Sequence, residues 1–219
     1  MSEAKEATDS LWLLVNAVIV FLMQSGFTLL ESGSVRKQNQ MHILTKNLLT
    51  TCMGRLFFFL TGFAIAFGTD SDAYLPTRLF PGDYDDDPRQ IRNWCIQYVF
   101  AANAATIVSG SIAERTRLYT YLIFAALMTG FIYPVGVSWT WGGGWLHERG
   151  YTDYAGSGII HMVGGVAGLV GAIFVGPRQG RFKPLADAYQ FEHEQENETT
   201  EEPKPSENEL NEDGHALLR

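Results

Sequence analysis

Five stretches of this chain are free, or nearly free, of charge over the length needed to cross a bilayer. Residues 11–30, 93–113, 118–146 and 154–177 contain no Asp, Glu, Lys or Arg, and residues 47–69 contain one, Arg55. A helix crossing a hydrocarbon core of about 30 Å needs about 20 mostly apolar residues. These runs are too long for core strands and lack period-two alternation. They predict an all-α, polytopic membrane helix bundle of about five transmembrane helices, over 11–33, 47–69, 93–113, 118–140 and 153–175.

Charge divides the 219 residues unequally. Residues 184–219 hold 11 acidic and 2 basic residues, whereas residues 1–183 hold 13 acidic and 14 basic. The near-neutral mean hydropathy therefore averages an apolar domain, 11–183, and a disordered acidic tail, 184–219, that is rich in Glu, Asn, Thr and Pro and poor in aromatic residues after Phe191. No basic stripe is available to neutralise phosphates, which excludes a nucleic-acid partner. Two cysteines cannot make a disulfide framework. The leader 1–10 is acidic, unlike the start of a secretory signal peptide.

Orientation follows from the Lys/Arg bias of short loops. Arg36, Lys37 and Lys46 lie between spans one and two, Arg115 and Arg117 between three and four, and Arg178, Arg181 and Lys183 after span five. These place the loops on the cytoplasmic side. The loop 70–92, with six Asp and three Arg, then lies outside, as does the leader, and the tail lies inside. Asn197-Glu198-Thr199 fits a glycosylation acceptor but falls in the cytoplasm on this topology.

Ionisable groups inside a bilayer are costly and by default mark a pathway. His161 lies eight residues after Asp153, about 12 Å along a helix and near the midplane. It either hydrogen-bonds a neighbouring helix or faces a pathway. Asp153, at the outer end of that helix, is placed as an N-cap. Arg55, eight residues from the inner end of span two, is structural or snorkelling. Glu31 is expected to pair with Arg36 or Lys37. Span five is rich in small residues, and Gly164 and Gly168 form a close-packing pair. Its glycines neither follow a strand nor open a soluble helix, so they do not bind a dinucleotide. Trp139, Trp141 and Trp145 surround Gly142-Gly143-Gly144. They read as an interfacial belt, or as faces for a desolvating cation. The acidic loop from Asp83 to Pro88 lacks the glycine and terminal glutamate of a calcium loop. Ser157 and His161, one helical turn apart, lack an orienting acid and an oxyanion donor pair, so a hydrolase is disfavoured. No catalytic set, metal site or cofactor motif emerges.

Together these residues match a known pattern. Met23-Gln24-Ser25-Gly26-Phe27 leads to Leu30-Glu31-Ser32-Gly33-Ser34-Val35-Arg36. Lys46-Asn47, Gly62-Phe63-Ala64, Ala66-Phe67-Gly68 and Ile112-Ala113-Glu114-Arg115-Thr116 follow. Then come Tyr133-Pro134-Val135, the run Trp139 to Leu146, Asp153 to His161, Gly168 to Ala172 and Gly176-Pro177-Arg178. In shared order and spacing over nearly all of 11–183, the chain resembles the ammonium transporter family, the Amt/Mep/Rh group, and within it the eukaryotic-type Amt branch.

The resemblance implies roles. Trp141 matches the aromatic of an outer ammonium recruitment site. Phe100 matches a gating phenylalanine below it. Asp153 matches an aspartate needed for conduction, and His161 the first of two pore histidines. The family's fold has eleven spans, two inverted five-helix repeats plus a last helix. This chain corresponds to the first repeat. The resemblance thus implies a multi-pass plasma-membrane protein in ammonium/ammonia transport, half-length and needing a partner for conduction, with trimeric assembly. The alternative is a non-conducting membrane subunit that assembles with and regulates full-length relatives.

Overall fold

Residues 3–68, 88–178 and 182 are described by the structure, a computed structural model. The loop 70–87, Arg181, Lys183 and the acidic tail, with the readings made of them, lie outside these residues. The chain divides at Gly176 into two units, Met1–Gly176 and Pro177–Arg219. Of the second, only Pro177, Arg178 and Phe182 are described.

The first unit is helical throughout its described elements: α1 (Glu3–Gly33), α2 (Gln40–Phe57), α3 (Phe63–Phe67), α4 (Pro88–Ser111), α5 (Leu118–Leu127), α6 (Tyr133–Trp139), α7 (Trp145–Glu148) and α8 (Val163–Val175). Three π-helical segments join these into longer rods: Phe58–Gly62 links α2 to α3, Met128–Ile132 links α5 to α6, and Ser157–Met162 leads into α8. Among the described residues, four rods are long and apolar enough to cross a membrane: Glu3–Gly33, Lys37–Phe67, Leu118–Trp139 and Ser157–Val175.

The fifth predicted span is α4, whose 24 residues suffice in length. It is less apolar because it is the hub of the bundle and has little need to face lipid. Helices α1, α2 and α8 all pack on it. Ala101, Ala102, Ala104 and Ala105 are buried along it and let neighbouring backbones approach closely.

Helix α1 shows the solvent this fold suits. Its buried residues are Ala17, Gln24 and Glu31, spaced seven apart, while Leu11, Trp12, Leu14, Val15, Val18, Ile19, Leu22, Leu29 and Leu30 are exposed. A water-soluble helix would bury the opposite face. In a bilayer the polar groups must turn inward and find partners. Gln24 does so: its amide donates to Asn103 Oδ1 at 2.6 Å, and Thr106 Oγ1 donates to its Oε1 at 2.9 Å.

Span boundaries depart from the sequence-based expectation where charged residues are helical. Helix α1 begins at Glu3, inside the predicted leader. The second rod begins at Lys37 rather than 47, because Lys46 and Asn47 are buried helical residues rather than parts of a basic loop. The partner of Glu31 also differs. Lys46 Nζ lies 3.2 Å from Glu31 Oε2, and both side chains are nearly inaccessible. Arg36 instead meets Glu114, through its backbone N–H at 3.0 Å and its Nε at 3.3 Å from Oε1. Asn39 Nδ2 donates to the same oxygen at 2.7 Å. Glu114 takes a left-handed backbone, φ 63°. These bonds to its carboxylate tie the α1–α2 turn to the α4–α5 turn.

The proline of the Tyr133-Pro134 pair explains one π segment. Pro134 has no N–H to give the carbonyl of Gly130, four residues earlier. The Thr61 hydroxyl donates to that carbonyl at 2.9 Å. Two π segments therefore face one another, and Gly62 leaves no room for a Cβ against the Thr129 carbonyl and Phe58. Such insertions are a recognised cause of local bending.

Candidate functional site

A cavity of about 760 Å³ opens where the starts of α1 and α4 meet α3 and the segment after α6. Its lining includes Trp12, Phe63, Phe67, Phe100, Trp141 and Tyr154. Two of the four predicted site residues meet here: the rings of Phe100 and Trp141 lie with centroids 5.9 Å apart. Phe100 is on the central helix α4, and Trp141 follows the end of α6.

Tight turns carry Trp141 to this place. Gly142 N and Gly144 N donate to the carbonyls of Val137 and Ser138, at 2.8 and 2.9 Å. A Cβ on either glycine would collide with backbone. Gly143 sits at φ +84°, where L-residues are strained. The glycine triplet is thus a folded-back loop that aims its neighbouring tryptophan. Trp139 and Trp145 contact each other, with ring centroids 5.8 Å apart.

Asp153 stands behind Trp141 rather than in the cavity. The Trp141 indole donates to the Asp153 backbone carbonyl at 2.7 Å. The Asp153 carboxylate accepts from Gly158 N and Ile159 N, both at 2.9 Å. This caps the helix, as the sequence suggests, but from outside: the helix starts at Ser157, after Gly156 in a left-handed conformation. Asp153 reaches across the intervening turn because Gly156 takes the left-handed backbone and Gly158, lacking a Cβ, leaves space for the carboxylate. The anion lies at the positive end of the helix, where orphan N–H groups point.

His161 is not brought to Phe100 and Trp141 by any described contact. With the helix starting at Ser157, it lies one turn in, about 6 Å, rather than about 12 Å from the helix end. It is exposed on the face of the last rod that also carries Met162, Val166, Leu169, Val170, Ile173 and Phe174. The opposite face is packed: Gly164 abuts Ala104 and Ile107, and Gly168 abuts Ser111. The close-packing pair read from the sequence is therefore the α8–α4 contact. Ser157 Oγ lies 3.5 Å from Asp153 Oδ1 and makes no bond to His161, which leaves no triad.

Arg55 reaches away from the inner end. Gly54 packs on Ala102, yet the Arg55 guanidinium lies 5.5 Å from the Trp94 ring, eight residues nearer the start of α4. Trp94 in turn stacks on Tyr98 at 5.8 Å. The aromatic face offsets part of the cost of the cation.

What sequence reasoning missed is the convergence of Lys46, Asn47 and Ser109 on Glu31. Glu31 Oε2 accepts from Ser109 Oγ at 2.8 Å and Asn47 Nδ2 at 3.3 Å besides Lys46. Lys46 Nζ also lies 4.9 Å from the Tyr121 ring centre. The available signal was the seven-residue spacing of Gln24 and Glu31 within an otherwise apolar helix. Among the described residues, no cluster of His, Cys, Asp and Glu could hold a metal ion.

Residues 11–197 match the model of the Ammonium Transporter Family. The chain is 42% identical over 187 residues to ammonium transporter 1 member 3 of Solanum lycopersicum, covering 81% of this chain and 40% of that one. It is 40% identical over 185 residues to the ammonium transporter Amt2 of Archaeoglobus fulgidus, covering 80% and 40%. Among solved structures, it resembles a Sensor Amt Protein with TM-score 0.74 and 36% identity, over 80% of this chain and 46% of that one. Candida albicans Mep2 matches with TM-score 0.67 and 29% identity, over 78% and 39%. The chain spans about two fifths of the length of these curated relatives. Its family is one of membrane transporters, not enzymes. In sequence and in fold, this multi-pass membrane protein belongs to the ammonium transporter family.

Proposed function

We propose that this chain supplies the outer mouth and first half of an ammonium/ammonia path across the plasma membrane. The carrying observation is the Phe100–Trp141 contact in the lining of an aromatic cavity. A dehydrating ammonium ion meets the Trp141 face, worth about 0.5–2 kcal/mol. Phe100 closes the way to a bare ion, and the apolar interior beyond favours the neutral species. Asp153 acts as a positioning residue, holding Trp141 and the start of the last rod at once. His161 lines the path as a hydrogen-bonding group. The N-terminus is outside and the acidic tail cytoplasmic, as the basic loops suggest.

The exposure of His161 supports a second element of this reading. An imidazole and its neighbours on that face need protein cover to form a closed path. Conduction therefore requires further helices against α8, in a trimeric assembly. The alternative, a non-conducting subunit that regulates longer relatives, rests on the same uncovered face.

The test is uptake of labelled methylammonium in cells lacking their own ammonium transporters, with membrane insertion verified. Uptake that is lost in His161→Ala and Asp153→Ala supports the reading. Inserted protein that gives no uptake alone, yet alters uptake by a co-expressed longer relative, supports the regulatory subunit instead.

A further inference from the structure

We infer that the aromatic cavity binds bulky, weakly hydrated organic cations of the quaternary ammonium class, and that these ions block the mouth rather than pass through it. The binding claim rests on the cavity alone; the blocking claim rests on the transport reading above.

Size is the first argument. An ammonium ion occupies about the volume of one water molecule, roughly 30 Å³. The cavity holds about 760 Å³, within the range of sites for organic ligands. A small ion inside it touches one or two rings and stays hydrated elsewhere. A quaternary ammonium ion touches several rings at once.

Chemistry is the second. Six aromatic side chains line the space, from α1 (Trp12), α3 (Phe63, Phe67), α4 (Phe100) and the loops after α6 (Trp141, Tyr154). The polar lining is neutral, the amides of Gln90, Asn93 and Gln97, and among the described residues no charged side chain joins them. Aromatic faces without a carboxylate favour cations that shed water easily, which is how methylated ammonium groups are recognised. The nearest buried anion, Asp153, is committed to the amides of Gly158 and Ile159. It adds negative potential behind Trp141 without offering a ligand. A quaternary ion has no N–H to give a hydrogen-bonding path and is wider than ammonium, so it lodges above Phe100.

The experiment uses the full chain in lipid nanodiscs at constant ionic strength, with tetramethylammonium chloride titrated against intrinsic tryptophan emission. Saturable binding about tenfold tighter than that of ammonium chloride is expected. Trp141→Leu should abolish it. Trp12→Leu, an exposed position that leaves the bundle intact, should weaken it about threefold. Non-saturating changes, tetramethylammonium binding no tighter than ammonium, or binding indifferent to both substitutions would overturn the inference. Methylammonium uptake measured with and without tetramethylammonium separates the two claims. Binding without any uptake, from the chain alone or beside a co-expressed longer relative, retains the cavity assignment and removes the transport reading. Uptake that saturating tetramethylammonium leaves unchanged removes the block alone.

Discussion

The indole N–H of Trp141 is held by the backbone carbonyl of Asp153, whose own carboxylate is held by the first amides of the last membrane rod. One residue therefore couples Trp141 to the helix that carries His161. The coupling has two separable parts, since the bond to Trp141 uses backbone and the cap uses the side chain. Replacing Asp153 by Ala removes only the cap, at a cost of about 2 kcal/mol. Through the released turn it should also loosen Trp141 and shift tryptophan emission to the red. Asp153→Asn keeps an acceptor oxygen and should lose about half as much, because charge-assisted bonds are roughly twice as strong as neutral ones. Thermal unfolding in detergent with emission spectra checks both. Unchanged emission in the Ala variant would show that Trp141 is seated without the cap.

The Glu31–Lys46 pair is buried between α1, α2 and α4. Breaking a buried pair leaves a charge with no partner and costs about 3–5 kcal/mol, whereas replacing both partners by apolar residues is often neutral. Lys46→Met and Glu31→Leu alone should each destabilise the bundle by that amount. The double variant should recover most of the loss. Ser109 and Asn47 would remain without their shared acceptor, so recovery stays incomplete by about 1 kcal/mol. A denaturation series on the three variants measures the coupling. Additive losses would mean that the pair contributes through separate contacts.

Thr61 stands in for the N–H that Pro134 lacks. Its hydroxyl bonds the Gly130 carbonyl across the interface of two π segments. Thr61→Val keeps shape and leaves a buried carbonyl unsatisfied, at a cost of about 1–3 kcal/mol. Thr61→Ser keeps the donor and should cost less than 1 kcal/mol, from one methyl group. Equal losses for Val and Ser would assign the effect to packing.

Much of this architecture was legible in the residues because the bilayer imposes a coarse rule. A run without charge must be a helix of a certain length, and Leu118–Trp139 is a helix long and apolar enough to cross. The rule fails where a charge is neutralised inside the bundle. Lys46 read as a loop cation because its distance to Glu31 depends on how α1 and α2 cross. The start of the last rod was misplaced for a related reason: Asp153 has the chemistry of an N-cap, but Gly156 lets the chain turn once more before the helix begins. Trp141 and Phe100 were identified by resemblance, and their contact required the hub position of α4. His161 shows the reverse limit: the resemblance implies a pore role for it, and no described contact brings it to Phe100 or Trp141.

Gly164 and Gly165 are adjacent residues with opposite environments. A Cβ on Gly164 would stand 2.9 Å from Ile107 Cβ and 3.0 Å from the Ala104 carbonyl, so α8 would have to move off α4. A Cβ on Gly165 would meet nothing within 4 Å. Gly164→Ala should therefore cost about 1–3 kcal/mol through overpacking, more than the helix propensity gained. Gly165→Ala meets no opposing contact and should stabilise the rod by up to about 1 kcal/mol. Thermal melts of the two single variants in the same detergent decide the matter. If alanine at 165 destabilised as much as at 164, the exposed face of this rod would be covered by protein in the detergent-purified particle. That would locate a contact surface on the face that carries His161.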